Sequence, residues 1–350
     1  RDYYASRGLG DVYKRQVVIF AKVPARTGYV NQGWSSKKNS EKATAKAKCT
    51  VNKNITLYAV QKKAVQLTFH RCDGSTWQKT TLAKGSSYSL PGVRDAEGYT
   101  FMGWSTKPMQ SVSPQYEAEE KITVNGNVDL YAVVFNRTTE TDLTEDQLPQ
   151  VDIYKYKQVI FVGDSRTEFM ENVLTGMGES ATKNVKFVCS AGKGLDWFTT
   201  TGWAQLYSIV QHDSNSILSK KTAVIFNFGV NDLSKSADYA EYYNWIAPQL
   251  KSKGCELYFM SVNPVNRLML PNAGRADRSE AAVRSFNQYM KANLSSAYTY
   301  IDMYSYLKST GYSFASDHYG TGTVDDGLHY TTRTYKRIFA KCMDSLRVPA

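Results

Sequence analysis

At 350 residues the chain is longer than one hydrophobic core comfortably organises, so two or more domains are expected. The net charge of +11 is uneven, since residues 1–140 carry 21 Lys and Arg against 11 Asp and Glu, whereas residues 141–350 carry 22 against 21. The 5 cysteines are scattered without a Cys-x-x-Cys, which argues against a disulfide framework or zinc knuckle, and no apolar run reaches the ~18 residues of a membrane span.

The opening stretch, from Arg1-Asp2-Tyr3-Tyr4 to Arg15-Gln16, resembles translated adapter sequence. Residues 1–16 are therefore set aside as a non-native or disordered leader, and any export signal is expected to have preceded this fragment. The basic excess lies in the next segment, where Lys37, Lys38, Lys42, Lys46 and Lys48 are interleaved with Ser, Thr and Ala rather than with aromatics. That pattern fits an anionic cell wall as well as it fits nucleic acid, and a solvated basic face equally; no nucleic-acid partner is expected, and contact with an anionic wall stands beside the solvated face as the alternative.

An internal repeat organises the first third. Gly28-Tyr29-Val30-Asn31-Gln32-Gly33-Trp34 returns as Gly98-Tyr99-Thr100-Phe101-Met102-Gly103-Trp104, and the stretch from Thr50 to Val60, ending Leu57-Tyr58-Ala59-Val60, returns as that from Thr123 to Val133, ending Leu130-Tyr131-Ala132-Val133. Two matches in one order indicate a duplicated module. In each copy a short aromatic strand, a polar loop and an alternating strand predict a small sheet anchored by the Trp. The pattern resembles the InlB B-repeat (Listeria–Bacteroides repeat), which implies β-grasp-like modules over 17–62, truncated at its front, and 63–136. The aromatics are read as core. The polar stretch 137–154 reads as an acidic linker.

From residue 155 to 350, strands and helices alternate. Strands are expected at 158–162, 185–188, 223–228, 256–260 and 298–302, and helices at 167–177, 197–211, 239–253, 278–294 and 332–346. Such alternation predicts a parallel sheet covered on both faces. Two motifs leave its expected strands, Gly163-Asp164-Ser165 and Gly229-Val230-Asn231-Asp232, and a third, Asp326-Gly327-Leu328-His329, precedes the last helix. Acyl transfer needs a nucleophile, a base, a group that orients the base and donors for an oxyanion. Ser165, His329, Asp326 and Asn231 supply these in chain order, with a glycine of Ser190-Ala191-Gly192-Lys193-Gly194 as a further donor, either Gly192 or Gly194. His318 follows Asp317 in a Gly-rich loop and lacks an acid three residues earlier, so it reads as surface. His70 and His212 are expected to have no suitable partners. No His, Cys, Asp and Glu cluster has metal-ligand spacing, and neither metal nor cofactor is expected.

These blocks resemble those of the SGNH hydrolases, the GDSL esterase/lipase superfamily, over about residues 156–350. The resemblance implies a flavodoxin-like three-layer α/β fold. It also implies Ser165 as nucleophile with Asp326 and His329, and an oxyanion hole from Ser165, Gly194 and Asn231. Arg166 stands where the family's name motif has Leu, a departure expected to touch only the pocket rim, and Asn263-Pro264-Val265 fits the loop before the penultimate helix. The expectation is an extracellular or cell-surface serine esterase that removes acetyl or another short acyl group from a carbohydrate or cell-wall polymer. An O-acetyltransferase with the same triad is the nearest alternative, and a non-catalytic surface adhesion protein is the alternative of another class.

Overall fold

The computed structural model describes residues 17–45, 48–50, 54–213, 221–271, 278–315 and 325–347. His318 and the leader lie outside them, as does the side chain of His212. Its strands in the first third are β1 (Val17–Ile19), β2 (Tyr29–Ser35), β3 (Lys48–Thr50), β4 (Tyr58–His70), β5 (Thr76–Ala83), β6 (Ser86–Ser89), β7 (Tyr99–Ser105), β8 (Lys121–Val124) and β9 (Val128–Asn136). The chain divides into two compact units, one of residues up to Ser89 with Lys121–Tyr131, the other of Leu90–Glu120 with Ala132–Ala350.

The first unit is built on β4. This long strand pairs antiparallel with β2 and with β5, and its end pairs parallel with the start of β9, placing Phe69 opposite Leu130. Leu67, Phe69 and Leu130 are fully buried there. The same pairing corrects one expectation. His70 has partners: Nε2 stands 2.9 Å from Asp129 Oδ1, Nδ1 stands 3.1 Å from the Gly74 carbonyl, and the ring stacks on Tyr131. A parallel ladder between strands 59 residues apart brings them together, and no local pattern announces it.

The duplication is visible in the backbone. Gly28 and Gly98 share φ near +75° at 78° and 74°, and Gly33 and Gly103 lie at 120° and 141°, so the glycines return because left-handed φ returns. A side chain at Gly103 would collide with the Tyr116 carbonyl. Trp34 is half-buried, whereas Trp104 is fully buried with its indole N–H on the Pro91 carbonyl at 2.9 Å.

In the second unit β10 (Tyr156–Gly163), β11 (Val185–Cys189), β12 (Lys221–Asn227), β13 (Cys255–Met260) and β14 (Tyr298–Ile301) form one parallel sheet in the order β11-β10-β12-β13-β14. Alternate residues of a strand face opposite sides. Ile160, Val162, Val224 and Phe226 enter one core with residues of α4 (Trp203–Asp213), α5 (Ser236–Ser252) and α6 (Glu280–Asn293). Val159, Phe161, Ala223 and Ile225 enter the other, with α1 (Ser165–Met177), α7 (Met303–Thr310) and α8 (Thr332–Ser345). This is the expected three-layer arrangement. Two short helices, α2 (Glu179–Thr182) and α3 (Leu195–Trp197), complete the set, and a π-turn over Phe198–Gly202 joins α3 to α4. The eight residues of α7 were not read from the sequence, because Asp302, which caps the helix by accepting the Ser305 N–H at 3.1 Å, was read as the end of the strand.

The stretch read as an acidic linker is packed into this unit. Leu148 and Val151 enter its core, and buried Glu140 accepts from Arg337 at 2.9 Å and from the Ser313 and Thr334 hydroxyls. Its polar composition hid the few apolar residues and the carboxylates that dock it, Asp142 also pairing with Lys336 of α8. Met102 of β7 and Val133 and Phe135 of β9 belong to the same core, and Gly311, at φ 82°, leaves room for the Phe135 ring.

Candidate active site

The site begins where β10 ends. Gly163 closes the strand, and a side chain there would collide with Thr167 and stand 2.8 Å from the Asn227 carbonyl, so the chain turns at once into α1. Asp164 caps that helix by accepting the Arg166 N–H at 3.0 Å. Ser165 is therefore the first helical residue, two positions earlier than the periodicity suggested, and its N–H is among those a helix leaves without an internal acceptor. Burial pushes the Asp164 carboxyl up to about 6, against the pull of the Arg166 charge and its N–H.

The structure brings the serine and the two C-terminal motif residues into one relay. Ser165 Oγ lies 2.9 Å from His329 Nε2, and His329 Nδ1 lies 2.7 Å from Asp326 Oδ2. An ionised carboxylate only accepts, so Nδ1 carries the proton and Nε2 faces the hydroxyl as acceptor. The other Asp326 oxygen takes the N–H groups of Leu328 and His329 at 2.8 and 2.7 Å, which locks carboxylate and imidazole into one turn. All three residues are buried, with Ser165 6% and His329 5% exposed. Phe169, one turn along α1 from Ser165, packs against the imidazole with ring centroids 4.6 Å apart. The sequence showed an apolar residue there without its purpose.

Gly194 and Asn231 leave β11 and β12, the two strands that flank β10, and so sit on either side of the serine's strand. They are tied to one another. Asn231 Nδ2 donates to the Lys193 carbonyl at 2.8 Å, and Asp232 accepts the Leu195 N–H at 2.9 Å and the Tyr239 hydroxyl at 2.7 Å. A side chain at Gly194 would collide with the Asp232 carboxylate, whereas Gly192, at φ 70°, has nothing within 4 Å of the same position. The need for glycine at 194 thus comes from Asp232 as its neighbour, a reason the sequence did not show. Arg278 was also missed: its Nε donates to the Val230 carbonyl at 3.0 Å and its Nη2 to Asn231 Oδ1 at 2.6 Å, which fixes the face of the amide.

Arg166 is corrected from rim to interior. It is 3% exposed and donates to three backbone carbonyls, Leu328 at 3.0 Å, Asn263 at 2.9 Å and Pro264 at 2.9 Å, with its guanidinium over the Tyr330 ring. A planar donor set of five N–H groups can reach separate carbonyls from one buried position, as Leu in the same place cannot. The residue after the serine thus staples the loop after β13 to the loop that carries His329.

Residues 9–60 and 66–133 match the Listeria-Bacteroides repeat domain, the first match starting inside the stretch set aside as leader. Residues 159–342 match the GDSL-like lipase/acylhydrolase family. None of the curated proteins matches the chain. Among solved structures, similarity extends to a Bacteroides fragilis protein assigned as an acylhydrolase, at 16% identity and TM-score 0.38 over 58% of this chain and 92% of that one. It extends also to an acetyl xylan esterase, at 10% identity and TM-score 0.37 over 54% and 99%. The catalytic domain of peptidoglycan O-acetyltransferase A from Streptococcus pneumoniae is a third, at 17% identity and TM-score 0.31 over 55% and 92%. With more than half of its length matched by one family model, and with Ser165 leaving a strand of the five-stranded parallel sheet to meet His329 and Asp326, the chain belongs to the GDSL-like lipase/acylhydrolase family, the SGNH hydrolases.

Proposed function

We propose that the protein is a secreted or cell-surface serine esterase that hydrolyses short acyl esters, acetyl above all, of carbohydrate or cell-wall polymers through an acyl-enzyme. The observation that carries this reading is the unbroken relay from Ser165 through His329 to Asp326. In the proposed reaction Ser165 Oγ attacks the ester carbonyl while His329 Nε2 takes its proton, and Asp326 holds the Nδ1–H and stabilises the imidazolium. The oxyanion is received by the N–H groups of Ser165 and Gly194 and by the Asn231 amide. The imidazolium then protonates the leaving alcohol, and water, deprotonated by the same imidazole, releases the acid and restores the serine.

The repeats support a location at the cell surface, as does the exposure of Lys37, Lys38 and Lys42, which suits contact with an anionic wall polymer. No helix among the described residues is long and apolar enough to cross a membrane. The test is direct. Ser165→Ala is expected to abolish turnover of p-nitrophenyl acetate and labelling by a fluorophosphonate probe, and unchanged hydrolysis in that variant removes the proposal. Comparing free acetate with acetylated glycan after a single turnover in the presence of a glycan acceptor distinguishes hydrolysis from transfer.

A further inference from the structure

The loop that carries Asp326 and His329 is held by residues that precede the matched hydrolase segment. Arg137, the residue after β9, donates to both carboxylate oxygens of Asp325, Nη1 at 2.6 Å and Nη2 at 2.7 Å, and Nη2 also lies 2.7 Å from Asp95 Oδ2. Its Nε donates to Thr100 Oγ1 at 2.9 Å. The other Asp95 oxygen takes the Phe101 N–H at 3.0 Å and the Asn266 side-chain amide at 2.8 Å. Asn266 in turn donates through its backbone N–H to the Gly327 carbonyl at 2.8 Å, and its amide reaches the Val93 carbonyl at 3.0 Å. Asp325 and Gly327 flank Asp326 on either side. One hydrogen-bonded ring, from Asp325 through Arg137, Asp95 and Asn266 to Gly327, therefore grips the chain immediately before and immediately after the proposed triad acid.

The ring is buried, with side-chain exposures of 14% for Arg137, 0% for Asp95 and 3% for Asp325. A buried ion pair contributes little net stability against apolar residues of the same size, yet losing one partner strands the other. Such a cluster is retained more readily for geometry than for stability. Gly327 makes the grip tight, because at φ 69° a side chain there would collide with the Asn266 carbonyl and with Met269. Asp95 and Thr100 lie in the second repeat copy and Asp325 in the hydrolase, so this pairing spans the two family segments inside one compact unit.

We propose that Arg137, braced by Asp95 and Asn266, is a positioning residue for the Asp326–His329 pair, so that the Val93–Thr100 segment of the second repeat is a working part of the hydrolase. The proposal rests on the esterase reading above. Its test uses the full chain with Arg137→Met, Arg137→Lys and Asp95→Asn beside the wild type, with folding followed by circular dichroism. In Arg137→Met, kcat for p-nitrophenyl acetate is expected to fall by about 10–100-fold with KM nearly unchanged, since a displaced base loses rate and leaves ground-state binding intact. Fluorophosphonate labelling is expected to slow in parallel. Arg137→Lys should recover part of the rate, because a point charge meets one carboxylate at a time. If Arg137→Met does not fold, Asp95→Asn keeps the shape and breaks the charged bridge, and a fall of about 10-fold in kcat is expected there. A folded variant that reacts and labels at the wild-type rate, or one in which only KM changes, overturns the proposal alone. A wild type that neither hydrolyses ester nor labels overturns the esterase reading, and the proposal with it.

Discussion

Asn231 has two amide hydrogens, and the Lys193 carbonyl takes one of them at 2.8 Å while Arg278 holds the amide oxygen at 2.6 Å. In the proposed reaction the second hydrogen is the one left for a developing oxyanion. Asn231→Ala is therefore expected to lower kcat by about 10²–10³-fold with little change in KM, as loss of one oxyanion donor does elsewhere; steady-state kinetics on p-nitrophenyl acetate would show it, and a near wild-type kcat would remove Asn231 from the hole. Asp164 offers a prediction of pH dependence. Its folded carboxyl is raised to about 6 by burial, above the usual range of an unfolded aspartate. The native state thus holds its proton more firmly, and this group lowers stability progressively as pH rises through about 4 to 6. Asn keeps the helix cap and cannot ionise. Relative to wild type, Asp164→Asn is expected to gain roughly 2–3 kcal/mol between pH 4 and pH 7, seen in denaturant melts across that range. Equal gains at both pH values would show that ionisation is not the cause.

The elements that position the site were legible where apolar runs were strong. The run Val159–Val162 is buried on both faces of the sheet, and a continuous apolar run is what such a parallel strand requires. The start of α1 was less legible, because Asp164 and Ser165 read equally well as a turn and as a cap and first residue. The segment 137–154 misled for another reason: its charges dominate its composition, yet Glu140 is buried against Arg337 of α8. Glu140→Ala would leave that guanidinium without its charged partner in a site where Arg337 is only 8% exposed along its side chain. Destabilisation by about 3–5 kcal/mol is expected. A lower urea midpoint at unchanged slope would report it; a surface-like change of a few tenths would mean that the segment is a loose connector after all.

At the scale of the whole molecule, the order β11-β10-β12 places the serine's strand between the two strands whose following loops carry Gly194 and Asn231. Residues Leu90–Glu120 of the second repeat belong to the same compact unit as that sheet, while the strands around β4 form a unit of their own. The sequence by itself determined the duplication, the five parallel strands and the motifs that hold Ser165, Asp326, His329 and Asn231. Strand cores are contiguous in the chain, a repeat is a comparison of the chain with itself, and each motif is a run of adjacent residues. Only the tertiary structure decided what holds those residues in place. Arg137 meets Asp325 across 188 positions, Arg166 meets the Leu328 carbonyl across 162, and His70 meets Asp129 across 59. A buried charge is given its partner by packing between elements, and packing at such separations leaves no periodic trace along the chain.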